Sequence, residues 1–279
     1  PFTPATGPRL CIKSGESADD VVTSVCATLT ELPSESHISS FHLLFPQPDV
    51  YQKFSGSGFM PRVGVQYHWF NQGYTSFNDF LASCTSRKRK SIKKERARVC
   101  EQNVEVSVFE GLAITADLWA RFYRFYQLTY AKRSGHGGYL SEAFFQEIAG
   151  TLTEHLVLIV AKHEQNIVAG ALFFKDSKTL YGRYWGCIKE FEMLHFETFY
   201  YQGIDYCINN SLSRFDPGAQ GEHKIQRGFV PVKTYSNHWI KDPEFSVAIA
   251  QYLEKEHQHI NEYIDVAKSR LPFKVILKG

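Results

Sequence analysis

The sequence predicts an α/β fold, an α+β mixed sheet with helices packed on it, arranged as two related domains in tandem. Three observations carry this. One phrase occurs twice: Gly58-Phe59-Met60-Pro61 leads to His68-Trp69, and Gly228-Phe229-Val230-Pro231 leads to His238-Trp239. Both copies read G-F-x-P-x6-H-W at a constant offset of 170 residues, which is the length of a domain and too long for a solenoid unit. Apolar spacing alternates along the chain between helical and strand periods. The composition, 43% hydrophobic and 15% aromatic, supplies enough apolar bulk to fill a sizeable core.

The elements follow in order. Residues 1–13 are predicted as a strand. Ser17 is placed to cap a helix over 17–32, with Val21, Val22, Val25 and Leu29 on one face. Short strands follow at 41–45 and 62–70. Phe45 and Phe215 share the offset of the repeated phrase. Only 57 residues precede Gly58, so the first domain is expected to be truncated at its N-terminus. A long helical stretch starts at Ser76 and carries a basic run on its second half. A strand is predicted at 104–109. Thr115 caps a helix through Leu118, Trp119, Phe122, Tyr123, Tyr126 and Tyr130, which the glycines of Arg133-Ser-Gly-His-Gly-Gly138 break. Ser141 caps the next helix. Strands are predicted at 155–162, 166–175 and 179–187, a helix at 194–212, and strands at 213–216 and 233–240. A helix at 243–263 and a strand at 274–277 end the chain. The domains expected are 1–75, a connecting helix 76–101, a complete domain 102–243, and a C-terminal helix and tail 244–279.

Several classes are excluded or disfavoured. The longest apolar runs, 156–161 and 167–174, are far short of the ~20 residues that span a bilayer. The six cysteines form no C-x-x-C pair and no zinc spacing, so reduced thiols in a cytoplasmic protein, without metal, are expected. The net charge is only +2, yet residues 87–98 hold eight basic groups against one acid. That run reads either as a solvated helix face or as a contact for RNA or a phosphorylated substrate. No aromatic residue interleaves with it, which weighs against single-strand stacking.

The densest chemical motif is Gly218-Ala-Gln-Gly-Glu-His-Lys-Ile-Gln-Arg-Gly-Phe229. Glu222 and His223 are candidate proton acceptors. Lys224 and Arg227 suit an anion or a developing negative charge. A second motif, Leu180-Tyr-Gly-Arg-Tyr-Trp-Gly186, precedes Leu194-His-Phe-Glu197. On residue type alone Tyr184 and Trp185 are core candidates. His195 and Glu197 sit at a helix start, where they meet a ligand or cap the helix. Glu192-x-x-His195 has the spacing of one half of a carboxylate metal site, but no second half appears.

These motifs, with G-F-x-P-x6-H-W and the basic stretch, resemble the FemAB-like family of the GNAT acyltransferase superfamily, a peptidoglycan biosynthesis/recognition family. The order strand, two helices, three-strand meander, helix, strand is similar to the GNAT arrangement. The resemblance implies tandem GNAT-like domains and transfer of an acyl or aminoacyl group to a small-molecule or peptide-linked amine, in peptidoglycan or envelope precursor metabolism. The implied donor is an acyl-CoA or an aminoacyl-tRNA, the latter approached by the basic stretch at 87–98. The candidate catalytic residues are Glu222, His223 and His195. Arg183, Tyr184, Trp185, Glu197, Gln220, Lys224 and Arg227 are the substrate-binding candidates. One departure stands out: the stretch in the place of the GNAT pyrophosphate loop, Cys187-Ile-Lys-Glu-Phe-Glu-Met193, has no glycine and two acids. The alternative reading is a non-catalytic recognition module that binds a cell-wall precursor or nucleic acid.

Overall fold

A computed structural model describes residues 3–35, 37–219 and 221–274. The chain divides into two compact units, each discontinuous in sequence. Unit 1 comprises 1–66 and 231–270, and unit 2 comprises 67–230 and 271–279.

Unit 1 begins with α1 (Ala18–Glu35), entered through Ser17, whose Oγ accepts the Asp20 amide at 3.3 Å. Strand β1 (Ser40–Leu44) and helix α2 (Pro48–Gly56) follow. Strand β2 (Met60–Phe70) starts in this unit and ends in unit 2. In unit 2, α3 (Phe77–Ser83) is capped by Ser76, and α4 (Ser86–Glu101) carries the basic run. Then come β3 (Val104–Glu110), α5 (Ala116–Ser134), α6 (Glu142–Thr151), β4 (Leu156–His163), β5 (Asn166–Lys175) and β6 (Thr179–Cys187). A π-helical turn, Phe196–Tyr201, runs into α7 (Gln202–Asn209) and then β7 (Arg214–Asp216). Strand β8 (Val230–Ile240) leaves unit 2 for unit 1, where α8 (Pro243–Ser269) follows it.

The sheet of unit 2 is mixed. Strands β3, β4, β5 and β6 are joined antiparallel, β6 and β7 are parallel, and the end of β2 pairs antiparallel with β7. Buried apolar side chains cover both faces. Leu118, Trp119, Phe122, Tyr126 and Phe145 pack against Leu158 and Leu172 on one side. Phe173, Phe199 and Phe215 form a ring cluster within the other layer. The parallel β6–α7–β7 crossover requires this double cover.

The repeated phrase is a structural repeat. Gly58 and Gly228 take φ of +86° and +91°, the left-handed region where glycine carries no Cβ penalty. Each lets the next residue's amide reach back into the turn: Phe59 to the Phe54 carbonyl and Phe229 to the Lys224 carbonyl, both at 3.2 Å. Each phenylalanine is then buried and an 11-residue strand starts. The strand's tryptophan lies opposite a phenylalanine in both copies, Trp69 opposite Phe215 and Trp239 opposite Phe41. The counterpart of Phe215 is therefore Phe41, because α2 is longer than the turn that precedes Gly228; Phe45 instead follows β1 with φ +55°.

Other differences from the sequence reading have physical causes. Residues 3–13 form no strand; Arg9 instead binds the Leu44 and Ala5 carbonyls. The helical reading from Ser76 is two helices, parted at Cys84, whose backbone bridges to Phe273. Helix α2 was not expected, since only Phe54 of its nine residues is buried. The strand expected at 274–277 lies, from 275 on, outside the described residues. All six cysteines are free thiols. No described helix is long and apolar enough to cross a membrane.

Candidate active site at the mouth of the β6–β7 split

The site lies in unit 2, where two neighbouring parallel strands part. Their pairing ends at Tyr181 and Asp216. Just beyond, β6 carries a bulge: Gly182 lies opposite Phe173 and Tyr184 opposite Leu172, leaving Arg183 as the extra residue. A bulge re-aims side chains and increases local twist. Arg183 turns to Asp216, with an ion pair at 3.1 Å and a bond to the Gly182 carbonyl at 2.8 Å. Gly182 has no Cβ because Phe199 occupies that space; a Cβ would come within 2.6 Å of its ring.

Asp216 is the hub. It is 1% exposed, accepts the Gly218 amide at 2.9 Å and faces His68 Nε2 at 3.7 Å. Burial raises its pKa, but the Arg183 charge, the facing His68 and the hydrogen bonds from Arg183 and the Gly218 amide outweigh burial and hold it below the usual carboxylate range. Lys224 is equally buried. Its Nζ donates to the Gly218 carbonyl at 2.7 Å and approaches the Pro217 carbonyl at 3.5 Å. Burial lowers its pKa to about 8, with Arg183 pushing the same way and Asp216 opposing. Arg183 and Lys224 thus spend their donors on the protein and fix the path of the Gly-rich loop.

The loop continues as a 3-10 turn, Glu222–Arg227. It leaves Glu222 and His223 exposed. His223 Nε2 shares a hydrogen bond with the Tyr200 hydroxyl at 2.9 Å. Partial burial, then the Arg227 and Lys224 charges, lower its pKa, so it is neutral and able to accept a proton near pH 7. Arg227 anchors the far end of the turn. It donates to the His223 carbonyl at 2.9 Å and to Glu95 at 2.7 Å, and its guanidinium lies 3.4 Å from the Phe196 ring centroid. Its buried Nε has no acceptor among the described residues.

The π turn supplies the aromatic wall. Phe196 and Tyr200, four residues apart on one face, both pack against His223, at ring distances of 5.6 and 5.5 Å, and such turns recur at functional sites. His195 sits behind, among Trp185, Phe196, Phe199 and Tyr200. Burial, with His223, Arg133, Arg227 and Lys224 adding to it, pushes its pKa down to about 3. A base that weak takes few protons at neutral pH. Trp185 donates its indole N–H to Thr198 at 2.9 Å.

Other candidates fall elsewhere. Tyr184 turns into the opposite layer, edge-on to Tyr126 and Phe145, and burial pushes its hydroxyl up to about 12. Glu197 is buried and bound by Arg96 at 3.0 Å and Gln202 at 2.8 Å, an ion pair that ties α4 to the π turn. Gln220 lies outside the described residues. Glu192 pairs with Arg98 at 2.8 Å, and among the described residues no group of three or more His, Cys, Asp or Glu side chains gathers to complete the half-motif. Asp216, His68 and Tyr200 were not singled out; the offset that makes His68 a copy of His238 was the only available signal for one of them.

One consequence can be measured directly. Burial, then Arg214, Arg183 and Lys224, against Asp216, lower the His68 pKa to about 4. Unfolded histidines take up protons near pH 6.5, whereas folded His68 and His195 stay neutral to about 4 and about 3. Below pH 6.5 the unfolded state therefore binds more protons. Stability is expected to fall as pH falls, by about 1.4 kcal/mol per pH unit for each such histidine. Urea unfolding from about pH 7 to about pH 4.5 checks this, and a flat profile contradicts it.

A family model described as peptidoglycan biosynthesis/recognition, FemAB-like, matches residues 1–275. No curated protein matches the sequence. Among solved structures, the C-terminal domain of a lysylphosphatidylglycerol synthetase described from Agrobacterium fabrum is 10% identical, with a TM-score of 0.55 over 84% of this chain and 77% of that one. L-PGS from Bacillus licheniformis is 11% identical, with a TM-score of 0.56 over 84% of this chain and 79% of that one. FemX is 11% identical, with a TM-score of 0.55 over 84% of this chain and 80% of that one. At such identity these likenesses speak to fold.

Proposed function

The chain belongs to the FemAB-like peptidoglycan biosynthesis/recognition family, and on that premise we propose that it transfers an aminoacyl group from aminoacyl-tRNA to an amine of an envelope precursor. The reaction is direct. The amine, relieved of a proton by His223 with Glu222 beside it, attacks the ester carbonyl held at the β6–β7 split. The amide bond forms, the ester C–O bond breaks, and the tRNA leaves as its terminal hydroxyl with the proton that His223 took up. The Gly-rich loop and Arg227 line the place where negative charge develops.

The observation that carries the choice of donor is the turn between β6 and the π helix. In acyl-CoA users of this fold the turn offers free backbone amides to a pyrophosphate. Here part of that set is taken and the turn is acidic. The Ile188 amide binds the Val168 carbonyl and the Leu194 amide binds the Phe191 carbonyl. The Glu192 amide binds the Gln102 side chain, which returns a bond to the Glu192 carbonyl, both at 3.0 Å. Glu190 and Glu192 are paired with Lys132 and Arg98. A pyrophosphate would meet two carboxylates there, and no glycine lets the backbone wrap it.

Helix α4 supports the same donor. It buries Ile92 and Val99 and commits Lys88 to Gln226, Arg96 to Glu197 and Arg98 to Glu192. Arg87, Lys90, Lys93 and Lys94 remain exposed over about two turns with no acid among them. They present a cationic strip to a phosphate backbone. Charge reversal of Arg87, Lys90 and Lys94 is expected to weaken tRNA binding and to reduce the log–log salt slope by about 2–3. The wild-type chain should transfer from aminoacyl-tRNA and not from acyl-CoA. Efficient transfer from acyl-CoA, or an unchanged salt slope, would refute the donor. Binding of a precursor amine without transfer from either donor would favour the recognition reading.

A further inference from the structure

We propose that the cross-strand pair His42–His238 in unit 1 is a binding site for a divalent transition-metal ion of the kind imidazole prefers. The starting point is the repeat. His238 is the second-copy equivalent of His68. On β2, His68 faces the carboxylate of Asp216, one step along the register that sets Trp69 opposite Phe215. On β8, the same step places His238 opposite His42 of β1. One backbone arrangement therefore holds a buried imidazole–carboxylate pair in one copy and two imidazoles in the other. His42 is exposed and His238 half-buried, so solvent reaches the pair.

The geometry is that of two ligands aimed at one point. The two Nδ1 atoms are 2.7 Å apart, with ring centroids at 5.0 Å and planes at 59°. Two bare nitrogen lone pairs at that distance repel, so either a proton or a metal ion lies between them. In the metal-free protein a proton serves, carried by one ring and accepted by the other. The outer nitrogens are already held by hydroxyls. His42 Nε2 meets Ser40 Oγ at 3.0 Å and His238 Nε2 meets Ser236 Oγ at 2.9 Å. Each serine stands two residues before its histidine, on the same face of the strand.

Those hydroxyls supply what a metal-bound histidine needs. A ligating imidazole donates its other N–H to an outer partner, which fixes the tautomer and the ring orientation. With a metal between the Nδ1 atoms, both Nε2 atoms carry the proton and both serine oxygens accept. The change balances without releasing a proton: each neutral ring keeps one, and in one ring it moves from Nδ1 to Nε2. Metal–nitrogen bonds of about 2.0–2.1 Å require the two nitrogens to part to roughly 3 Å, a small side-chain rotation. The charged groups that act on His238 are Arg62 and Glu256. They bind each other through two hydrogen bonds at 2.7 Å, so their opposite charges offset at the site.

Among the described residues no group of three or more His, Cys, Asp or Glu side chains is placed to hold a metal ion. The site is therefore a two-imidazole clip, completed by water. That ligand set suits Cu2+, Ni2+ and Zn2+, with Cu2+ tightest, and not the oxygen-seeking Mg2+ or Ca2+. A bound ion would tie β1 to β8.

The test is calorimetric titration of the whole chain with CuCl2, NiCl2, ZnCl2 and MgCl2 near pH 7.5. One Cu2+ per chain is expected, with weaker Ni2+ and Zn2+ and no Mg2+. His42→Ala and His238→Ala should each weaken binding more than tenfold, and lowering the pH should weaken it further as protons compete for the same nitrogens. The electron paramagnetic resonance of the Cu2+ form should show two equivalent nitrogen ligands, a readout that a mere loss of packing does not produce. Circular dichroism checks that the variants fold, and His42→Gln, which keeps the strand's polarity, replaces His42→Ala if that variant does not. Binding that survives in the double variant, binding lost instead on His257→Ala with His259→Ala, or no stoichiometric Cu2+ binding at all would overturn the proposal.

Discussion

Asp216→Ala is expected to cost about 3–5 kcal/mol of folding stability, the usual penalty for removing one partner of a buried ion pair. The carboxylate is the counter-charge for Arg183 and Lys224 and the acceptor of the Gly218 amide. Removing it leaves a guanidinium and an ammonium in a space that excludes water, with no anion between them. Lys224 responds by losing its proton more readily still, since Asp216 is the group that raises its pKa. The check is urea unfolding of Asp216→Ala, Lys224→Met and the double variant. If the charges depend on one another, the double variant loses less than the two singles added together, with a coupling of about 1 kcal/mol or more. A loss below about 1 kcal/mol for Asp216→Ala would mean that the charges are compensated elsewhere.

That prediction rests on contacts only partly legible in the sequence. What was legible follows from local chemistry. Ser17, Thr115 and Ser141 precede apolar helical spacing, and all three accept an amide from the first turn. Strands β5 and β6 were bounded by polar turns and came out with the limits read for them. The Gly-rich loop was legible as a chemical site because its ionisable groups crowd a few residues. Their division of labour was not. Whether Lys224 meets solvent or a carbonyl depends on where β7 lies, and nothing near Lys224 in sequence says so. The bulge at Arg183 and the π turn each shift register by a single residue, and apolar periodicity is blind to such a shift. Glu197 looked available because it starts a helix; its partner Arg96 lies on α4, about a hundred residues away in sequence. A charge run reads alike whether its members are free or paired. Only packing separated Arg96 and Arg98, which hold the π turn and the 187–193 turn in place, from Arg87, Lys90, Lys93 and Lys94, which face solvent.

The repeat carries a related lesson. Equal offsets identified the two copies of the strand, but pairing identified their partners. The motif fixes where each strand starts and which residues its tryptophan and histidine present. The partner strand decides the chemistry: Asp216 beside His68, and His42 beside His238. Two similar strand frames thus hold different facing residues, a carboxylate in a buried charge cluster in one and an imidazole in the other.

His223→Gln is expected to lower the rate of acyl transfer by about 10²–10⁴, the usual worth of a positioned general base, with little change in stability. The side chain is exposed, and its structural contacts are ring packing and one hydrogen bond to Tyr200. Surface substitutions of that kind stay within about 0.5 kcal/mol. The pH profile gives an independent reading. His223 has a lowered pKa, so a rate that needs its neutral form rises with pH below about 6.5 and then levels. Lys224 titrates at about 8. Its ammonium donates to the Gly218 and Pro217 carbonyls, so loss of that proton should loosen the loop and bring the rate down again above that pH. The wild type should show a bell, His223→Gln should lose the acid limb, and Lys224→Met should lose the alkaline one. Glu222→Gln is the discriminating control. If Glu222 is the base, its loss takes the acid limb and His223→Gln leaves the limb in place; if neither substitution moves that limb, proton removal belongs to the substrate or to water, and the turn at 222–227 serves to position the amine.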